Sequence, residues 1–523
     1  MSSPFFASSI TKGVANSHGW RHLLLDRADS HIGKPLGPVK KSLINLIHIT
    51  DTHICDAQSP ARVEYLDRYA DPHHPASSIV GTLIGTYRAH EILTTQVLES
   101  AVQAINRIDL APVTKTAISA VLITGDLTDN AQSNELDWLT TLLLGGKLRA
   151  DSGAKDKWEG VGGEFYSPFF WNPHGTPKGE RTDFPRDLYG FPTIPELLHA
   201  IRQPFYSSGL KYPFLAVHGN HDALLQGTVV PNEELRESVT SDEKIFELSD
   251  EEALQALSKV SEQGPAAYPS PIAPKVMTVS ADESRDFLSP IEWNINFYRE
   301  DEDNGISSQH LGSDRKYWRK DYESVTILAL DTVNPFGGWQ GSIDEEQFNW
   351  LKEQVEQIKD KYIVITSHHP IQDIYNGYSP SARRVLGAEI ETYLITKPAV
   401  IAWICGHTHR HRIAYFGPDI TRGFYQIETS SLIDWPQQGR IIEIFLTQDD
   451  EICIASTVFN HQGSILPDYE HLRLDEVNEL SGLSRILSLN DWQRRGGIFA
   501  IENNEGEGSD RNSILCLPKR VLY

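Results

Sequence analysis

Residues 120–130 read AVLITGDLTDN, an apolar run that ends abruptly in glycine and two carboxylates. An apolar run of this length is typical of a buried strand, and the Gly-Asp that follows it would bring a carboxylate to the end of that strand. Open α/β sheets bind their ligands at the C-terminal edge of the strands. We therefore predict that Asp126 lies in a functional site, where its carboxylate bridges two metal ions.

Four further stretches place polar residues directly behind a strand-like run. The runs cover residues 42–50, 212–217, 362–366 and 399–405. A helical apolar spacing over residues 91–108 separates the first run from the Asp126 strand, and this strand–helix–strand order predicts a βαβ unit with parallel strands. The polar residues are then expected to meet at one sheet edge. They are Asp51-Thr52-His53, Gly219-Asn220-His221-Asp222, Ser367-His368-His369-Pro370 and Gly406-His407-Thr408-His409.

These residue types match the needs of a centre with two divalent ions, which takes a bridging carboxylate, neutral imidazoles and a few oxygen donors. An amide oxygen binds a metal without adding negative charge, so an asparagine ligand leaves the ions electrophilic. A water or hydroxide held between the ions would be the nucleophile for in-line attack on phosphorus. The predicted ligands are Asp51, His53 and His409 for one ion, Asn220, His368 and His407 for the other, and Asp126 for both.

His221 follows the predicted ligand Asn220 directly and is expected near the metals without being needed as a ligand. An imidazolium near the leaving oxygen would act as a general acid or stabilise the transition state, an effect worth about a hundred- to ten-thousandfold in rate. Asp129 is a candidate for orienting the His221 ring, and Asp222 is a candidate for the same role. The sequence leaves both choices open.

The five motifs, in this order, resemble the calcineurin-like metallophosphoesterase superfamily, whose pattern runs Asp-x-His, Gly-Asp-x-x-Asp, Gly-Asn-His-Asp/Glu, His and Gly-His-x-His. The resemblance implies an α/β protein with a four-layer αββα sandwich, two metals drawn from Mn, Fe and Zn, and phosphoester hydrolysis. It also favours His368 over His369, because the family's ligand usually corresponds to the first position of a His-His-Pro element.

The resemblance covers residues 42–460, with large insertions expected at about 145–212 and 223–320. Residues 1–41 are interpreted as a lead-in on the surface, and residues 461–523 as a C-terminal extension. The first insertion is rich in aromatic residues, which more often form a local core than a stacking surface for a base or sugar. Substrate choice is expected to depend on the two insertions.

Composition narrows the cellular context and the partners. A formal charge of −24 argues against a general nucleic-acid binder. The four cysteines include no CxxC pair, so we expect neither a disulfide framework nor a zinc ribbon, and a reducing compartment is favoured. Residues 1–40 lack a signal-peptide pattern and no run is long enough to cross a membrane, which predicts a cytoplasmic protein without a membrane span. The oligomeric state is not indicated.

The leading hypothesis is a dinuclear metal-dependent hydrolase of a small phosphodiester or a nucleotide-like phosphomonoester. A second hypothesis is cleavage of a pyrophosphate bond in a nucleotide-sugar or lipid-linked diphosphate. A third is a catalytically silent binding scaffold, since a fold does not guarantee activity. The complete ligand set weighs against the scaffold. The absence of a His-Glu-x-x-His helix weighs against a mononuclear zinc hydrolase, and the acidic balance weighs against a nuclease.

Overall fold

The structure is a computed structural model that describes residues 9–26, 31–80, 87–263, 274–301, 303–465, 467–469, 471–494 and 504–522. No helix in these ranges is long and apolar enough to cross a membrane. The strands are β1 Ser9–Lys12, β2 Leu23–Asp26, β3 Val39–Ile49, β4 Ala120–Thr124, β5 Gly146–Leu148, β6 Phe205–Ser207, β7 Phe214–Val217, β8 Glu243–Glu247, β9 Lys275–Thr278, β10 Trp318–Asp321, β11 Val325–Ala329, β12 Ile343–Asp344, β13 Tyr362–Thr366, β14 Arg384–Val385, β15 Val400–Cys405, β16 Arg412–Asp419, β17 Arg422–Glu428, β18 Gln438–Thr447, β19 Ile452–Asn460 and β20 Ser513–Leu517. The helices are α1 Ser77–Val80, α2 Thr94–Asn106, α3 Ser133–Leu144, α4 Phe184–Tyr189, α5 Leu197–Ala200, α6 Glu233–Thr240, α7 Asp250–Gln263, α8 Pro290–Phe297, α9 Glu345–Gln357, α10 Gly387–Leu394, α11 Val477–Leu489 and α12 Gly508–Arg511.

The first sheet joins six strands of the described chain in the order β20-β19-β18-β3-β4-β7. Strands β3, β4 and β7 are parallel, as the strand–helix–strand order predicts. Strands β18, β19 and β20 extend the sheet in antiparallel fashion from β3. All five residues of β4 are buried. A strand covered on both faces has no reason to alternate apolar and polar residues, which explains the continuous apolar run in the sequence.

The second sheet joins six strands in the order β10-β11-β13-β15-β17-β16. Strands β11, β13, β15 and β17 are parallel to one another. Antiparallel strands β10 and β16 lie at the two edges. Edge strand β16 carries only half-buried and exposed residues, so its sequence lacks the apolar pattern that made the central strands predictable.

One apolar core lies between the two sheets and contains side chains of both, among them Leu46, Leu122, Val364 and Ile404. Helices α2 and α3 contribute to this core and cover the first sheet. Helices α9 and α10 pack on the outer side of the second sheet in a separate apolar cluster. The layers therefore run helix, sheet, sheet, helix, and the predicted four-layer αββα sandwich is confirmed.

The two terminal regions are more integrated than the sequence indicated. Ile10, Trp20 and Leu23 were expected on the surface but are buried in an apolar cluster with α11. That part of the expectation is wrong, because the α11 side chains that cover these residues lie more than 400 residues away in the chain. The C-terminal region supplies α11 and also β20, which completes one edge of the first sheet.

The cysteines also differ from expectation. Cys453 and Cys516 face each other on adjacent strands β19 and β20 and form a disulfide. The sequence indicated no disulfide framework, and this single pair escaped notice because a separation of 63 residues gives no sign of the cross-strand register. Cys55 and Cys405 are free and buried. The disulfide removes one of the observations on which the cytoplasmic prediction rests.

Aromatic residues of the first insertion form a local core rather than a stacking surface. Phe191 packs edge-on against Trp20 and Trp492, with ring centroids 5.2 and 5.1 Å apart. Phe170 and Trp171 are buried in the same cluster. These aromatic side chains therefore join the insertion to both terminal regions.

Candidate metal centre

The candidate site lies at the edge where the parallel strands of both sheets end. Asp51, Asp126 and Asn220 follow β3, β4 and β7 of the first sheet, while His368 and His407 follow β13 and β15 of the second. Donor atoms of Asp51, Asp126, His368 and His407 form overlapping groups with neighbouring side chains, and the atoms of each group lie within 4.8 Å of one another. The groups are Asp51 with His53 and His409, Asp51 with Asp126 and His368, and His368 with His369 and His407.

Backbone conformation marks the site independently of the side chains. Positive φ is uncommon outside glycine and costs about 1–3 kcal/mol at each residue, so it persists where the surrounding structure enforces it, often in functional sites. Five of the seven predicted ligands have it. They are Asp51 at 52°, His53 at 39°, Asp126 at 50°, His407 at 72° and His409 at 55°.

Gly125 lets the end of β4 approach the second sheet closely. Its φ is +87°, and a Cβ atom placed there would lie 2.6 Å from Nδ1 of His368. The same ring nitrogen donates a hydrogen bond of 2.8 Å to the Thr124 carbonyl oxygen. The Gly-Asp motif thus serves the site twice, because glycine makes room for one predicted ligand and aspartate supplies another.

We call the group of Asp51, His53 and His409 the first position. The two ring Nε2 atoms of His53 and His409 lie 3.2 Å apart, and Nε2 of His409 lies 3.2 Å from Oδ1 of Asp51. That oxygen is buried and has no hydrogen-bond partner among the described residues. Donor atoms about 3 Å apart fit ligands that share one ion at bond lengths of about 2.0–2.2 Å.

We call the group of Asn220, His368 and His407 the second position. Nε2 of His368 lies 3.1 Å from Nδ1 of His407. The Asn220 amide donates from Nδ2 to the Gly227 carbonyl oxygen at 3.0 Å, while its Oδ1 is buried without a hydrogen-bond partner in the described ranges. A buried acceptor left in that state costs about 1–3 kcal/mol, which a cation at this position would offset.

Asp126 lies between the two positions. Its Oδ2 is 3.1 Å from Nε2 of His368 and 3.8 Å from Nε2 of His53. Its other oxygen, Oδ1, accepts a 2.8 Å hydrogen bond from the main-chain nitrogen of His221. This is the arrangement expected of a carboxylate that bridges two ions.

The protonation states suit metal binding. Burial raises the pKa of Asp126, but the neighbouring imidazoles of His368 and His221 hold it well below its usual value. Burial, together with His221, lowers the pKa of His53 to about 4. Burial likewise lowers the pKa of His407. Ionised carboxylates and neutral imidazoles are the forms in which these groups bind metals.

The pKa of His368 is raised, whereas those of His53 and His407 are lowered. Burial lowers its pKa, yet the Asp126 carboxylate outweighs burial and raises the pKa to about 9. A protonated His368 supplies the positive charge that the buried carboxylates need. A metal ion at the second position would supply the same charge, so the site fits two cations better than it fits none.

His369 is satisfied by the protein. Its Nδ1 contacts the Thr332 hydroxyl at 2.8 Å and its Nε2 donates to the Trp339 carbonyl oxygen at 2.9 Å. With both ring nitrogens engaged, His369 has none left for a metal. The geometry therefore favours His368, as the resemblance implies.

Asp129 contacts two histidines in different ways. Its main-chain oxygen accepts a 2.7 Å hydrogen bond from Nδ1 of His221. Its carboxylate accepts a 3.0 Å hydrogen bond from Nδ1 of His53 and also pairs with Arg62. Asp129 thus orients His221, but through the backbone, while its side chain supports the predicted ligand His53.

Asp222 has a structural environment. Its Oδ1 accepts hydrogen bonds from the main-chain nitrogens of Leu127 and Thr128 at 2.8 and 2.9 Å, and its Oδ2 accepts one from Gly219 at 2.9 Å. The carboxylate therefore ties the two loops that carry Asp126 and Asn220. The expectation that it orients the His221 ring is corrected, because these backbone amides already occupy both oxygens.

Sequence reasoning missed Asp434. Its Oδ2 accepts a 2.6 Å hydrogen bond from Nδ1 of His409, and its Oδ1 lies 3.1 Å from Nε2 of His90. A carboxylate behind a metal-binding imidazole fixes the ring and raises its basicity. The sequence offers only a weak signal, namely an acidic residue in the loop after β17, since a contact with His409 depends on tertiary structure.

Arg62 was missed for a similar reason. It is buried and pairs with both Asp129 and Glu91, in a loop outside the five motifs. Its guanidinium neutralises the carboxylate that supports His53. A buried arginine in a loop with several prolines has no local pattern that reveals such a partner.

Fold and site together define a class of protein, the four-layer α/β proteins that gather carboxylate, amide and imidazole side chains where their strands end. The sequence profile described as calcineurin-like phosphoesterase matches residues 194–411. This match includes the Asn220, His368 and His407 motifs, while the Asp51 and Asp126 motifs precede it. Over these residues the chain is similar to the calcineurin-like phosphoesterase family, which confirms the resemblance that the motifs indicate.

Two curated relatives match shorter stretches. A probable glycerophosphodiester phosphodiesterase GpdQ from Arcobacter nitrofigilis is 31% identical over 87 residues, which is 16% of this chain and 32% of that protein. Human tartrate-resistant acid phosphatase type 5 is 27% identical over 99 residues, or 16% of this chain and 29% of that protein. The chain thus spans about a third of the length of these relatives.

Two solved structures are also similar. A dimetal phosphatase from Danio rerio has 12% identity and a TM-score of 0.37, and the match covers 80% of this chain and 100% of that one. A putative 5′-nucleotidase from Staphylococcus aureus has 11% identity and a TM-score of 0.29, with 85% of this chain and 58% of that one covered.

Proposed function

We propose that this protein is a dinuclear metal-dependent hydrolase that acts on small phosphodiesters or nucleotide-like phosphomonoesters. The observation that carries the proposal is the Asp126 carboxylate, whose Oδ2 lies 3.1 Å from an imidazole of the second position and 3.8 Å from one of the first. Mn, Fe and Zn are the proposed metals because the family resemblance implies them, and all three accept imidazole or carboxylate ligands.

When bound, the ions supply Lewis acidity toward phosphate oxygens and lower the pKa of water enough for it to attack phosphorus near neutral pH. The chain contributes His221 beside them. Because its Nδ1 donates to the Asp129 carbonyl oxygen, a protonated ring delivers its second proton from Nε2. The His221 side chain is 16% exposed, and Nε2 is the ring nitrogen that we propose donates to the leaving oxygen.

The names of the two relatives support both types of ester. One is a probable phosphodiesterase and the other a phosphatase. Pyrophosphate cleavage in nucleotide-sugars or lipid-linked diphosphates is the alternative reaction, and product analysis on such substrates separates it from ester cleavage. A catalytically silent binding scaffold is the alternative in which the protein hydrolyses nothing.

The decisive experiment measures metal content by mass spectrometry together with hydrolysis of bis(p-nitrophenyl) phosphate and p-nitrophenyl phosphate. The wild type should contain two metals per chain, and Asp126→Asn should lose metal and at least about ten-thousandfold in rate, because the ligands act as one unit. Asp137→Asn, which alters an exposed carboxylate on α3, is the matched control. Absence of both metal and hydrolysis after reconstitution with Mn, Fe or Zn would favour the scaffold.

A further inference from the structure

Exposed aromatic side chains gather beside the second position. Trp339 stacks on His407 with ring centroids 5.8 Å apart and an interplanar angle of 20°. Tyr375 meets Trp339 edge-on, with centroids 6.0 Å apart and an angle of 89°. Trp339 and Tyr375 are 42% and 49% exposed. We call these two residues the aromatic platform.

The platform is held rigidly by the two loops that carry it. Nδ2 of Asn334 donates to the carbonyl oxygens of Asn376 and Tyr378 at 3.2 and 2.9 Å, and Nδ2 of Asn376 donates back to Gly337 at 2.8 Å. The Trp339 carbonyl oxygen accepts a 2.9 Å hydrogen bond from Nε2 of His369. Trp339 is therefore fixed relative to the metal ligands through both its ring and its main chain.

The large aromatic cluster of the first insertion, by contrast, is buried. Trp171 and Phe191 of the first insertion lie inside an apolar core, as do Trp20 and Trp492. Single exposed aromatic residues are ordinary on protein surfaces. A tryptophan that stacks on a predicted metal ligand and stays almost half exposed is different, because its free π-surface borders the place where the ester group of a bound phosphate would lie.

We propose that the aromatic platform is a substrate subsite for a planar aromatic group attached to the ester, either a simple aryl ring or a nucleobase. This inference rests on the proposed function, since the phosphate must be held at the metals for its substituent to reach Trp339. The sequence assigned substrate choice to the two insertions, whereas the platform lies on loops after β11 and β13, outside both.

The test compares pairs of ligands that share a phosphate-like group and differ in whether they carry an aromatic group. Benzylphosphonate and cyclohexylmethylphosphonate cannot be hydrolysed and form one pair, for which binding to the metal-loaded protein is measured by calorimetry. Stacking should make the wild type bind benzylphosphonate about three- to tenfold more tightly. AMP and ribose 5-phosphate form the second pair and report whether a nucleobase uses the same surface. Because the enzyme would hydrolyse these two esters, their binding is measured as competition with bis(p-nitrophenyl) phosphate.

Trp339→Leu should abolish the preference in each pair that shows it, while Trp339→Phe should keep most of it. Tyr375→Leu should weaken the preference, and this variant replaces Trp339→Leu as the test if Trp339→Leu does not fold. Tyr206→Leu is the control, because Tyr206 is 73% exposed on β6, outside both platform loops. The hydrogen bond from the His369 ring to the Trp339 carbonyl oxygen does not involve the Trp339 side chain and survives all these changes.

Equal binding within both pairs, or a preference that persists in Trp339→Leu, would overturn the subsite. If p-nitrophenyl phosphate is still hydrolysed in that case, the proposed function stands without it. A protein that takes up no metal and hydrolyses no ester would overturn the proposed function and the subsite together. A preference confined to the benzyl pair would assign the platform to aryl groups, and one confined to AMP would assign it to nucleobases.

Discussion

The two positions of the metal centre are supported in different ways. At the first position, both imidazoles are backed by carboxylates, since Nδ1 of His53 donates to Asp129 at 3.0 Å and Nδ1 of His409 donates to Asp434 at 2.6 Å. At the second position the supports are neutral main-chain oxygens. Nδ1 of His368 donates to Thr124 at 2.8 Å, and Nδ2 of Asn220 donates to Gly227 at 3.0 Å.

This difference shows how two adjacent positions at the strand ends can bind their ions with unequal affinity. A carboxylate behind an imidazole raises the basicity of the ligand and adds negative charge near the metal, whereas a carbonyl only orients the ring. The first position should therefore bind its ion more tightly. The second position, with its amide ligand and the exposed Trp339 beside His407, should exchange its ion more readily and lie nearer to the substrate.

Among the tests of this comparison between the two positions, the largest expected effect concerns a histidine that we assign to neither position. His221→Gln should lower kcat by about a hundred- to ten-thousandfold, because the general acid is lost. Metal content should stay at two per chain, since the His221 ring is held by the Asp129 carbonyl and is not needed as a ligand. Steady-state kinetics and mass spectrometry check both parts. His471→Gln, on the surface, is the control.

Loss of one ion from His221→Gln would break the comparison. It would make His221 a ligand, in keeping with its donor atoms lying within reach of His53 and Asp129. The first position would then hold three imidazoles, and the proton donor would have to be sought elsewhere.

Much of this site could be predicted from local sequence. Strands β4, β13 and β15 are almost entirely buried, so each is a continuous apolar run, and the break in that run marks the strand end where a ligand follows. Because parallel strands of one sheet end at a common edge, the amino-acid sequence alone is enough to group His368 with His407 and Asp51 with Asp126. The meeting of these two groups depends on how the two sheets pack.

The supports of the ligands could not be predicted in the same way. Asp434 reaches His409 from another loop, and Arg62 reaches Asp129 across 67 residues, so neither contact leaves a periodic pattern. The pairing of Cys453 with Cys516 was hidden for the same reason. Local sequence determines which residues follow the end of a strand, whereas tertiary packing determines which side chains form hydrogen bonds with them.

A smaller effect should follow from Asp434→Asn, which removes the charge behind His409 but keeps the size of the side chain. Loss of a partner of this kind typically costs about ten- to a hundredfold in metal affinity. Titration of the metal-free protein should show this loss in the tighter class of site alone. Asp468→Asn is the matched control, since Asp468 also accepts from a histidine, His471, but on the surface at 2.8 Å.

If Asp434→Asn instead weakened both classes equally, the carboxylate would support the centre as a whole and the two positions would not differ in the way we infer. An unchanged titration would mean that the hydrogen bond to His409 orients the ring without strengthening the ligand.

The smallest expected effect is the order in which the ions bind. Asp51 and Asp126 lie near both positions, whereas Asp129 and Asp434 lie behind the imidazoles of the first position, so electrostatic attraction favours the first. Arg62 offsets part of this difference by pairing with Asp129, which keeps the expected ratio of affinities at about tenfold. A crystal grown with one equivalent of metal, examined by anomalous scattering, should therefore place the ion beside His53 and His409. An ion beside Asn220 alone would reverse the comparison, because neutral supports would then outweigh the carboxylates.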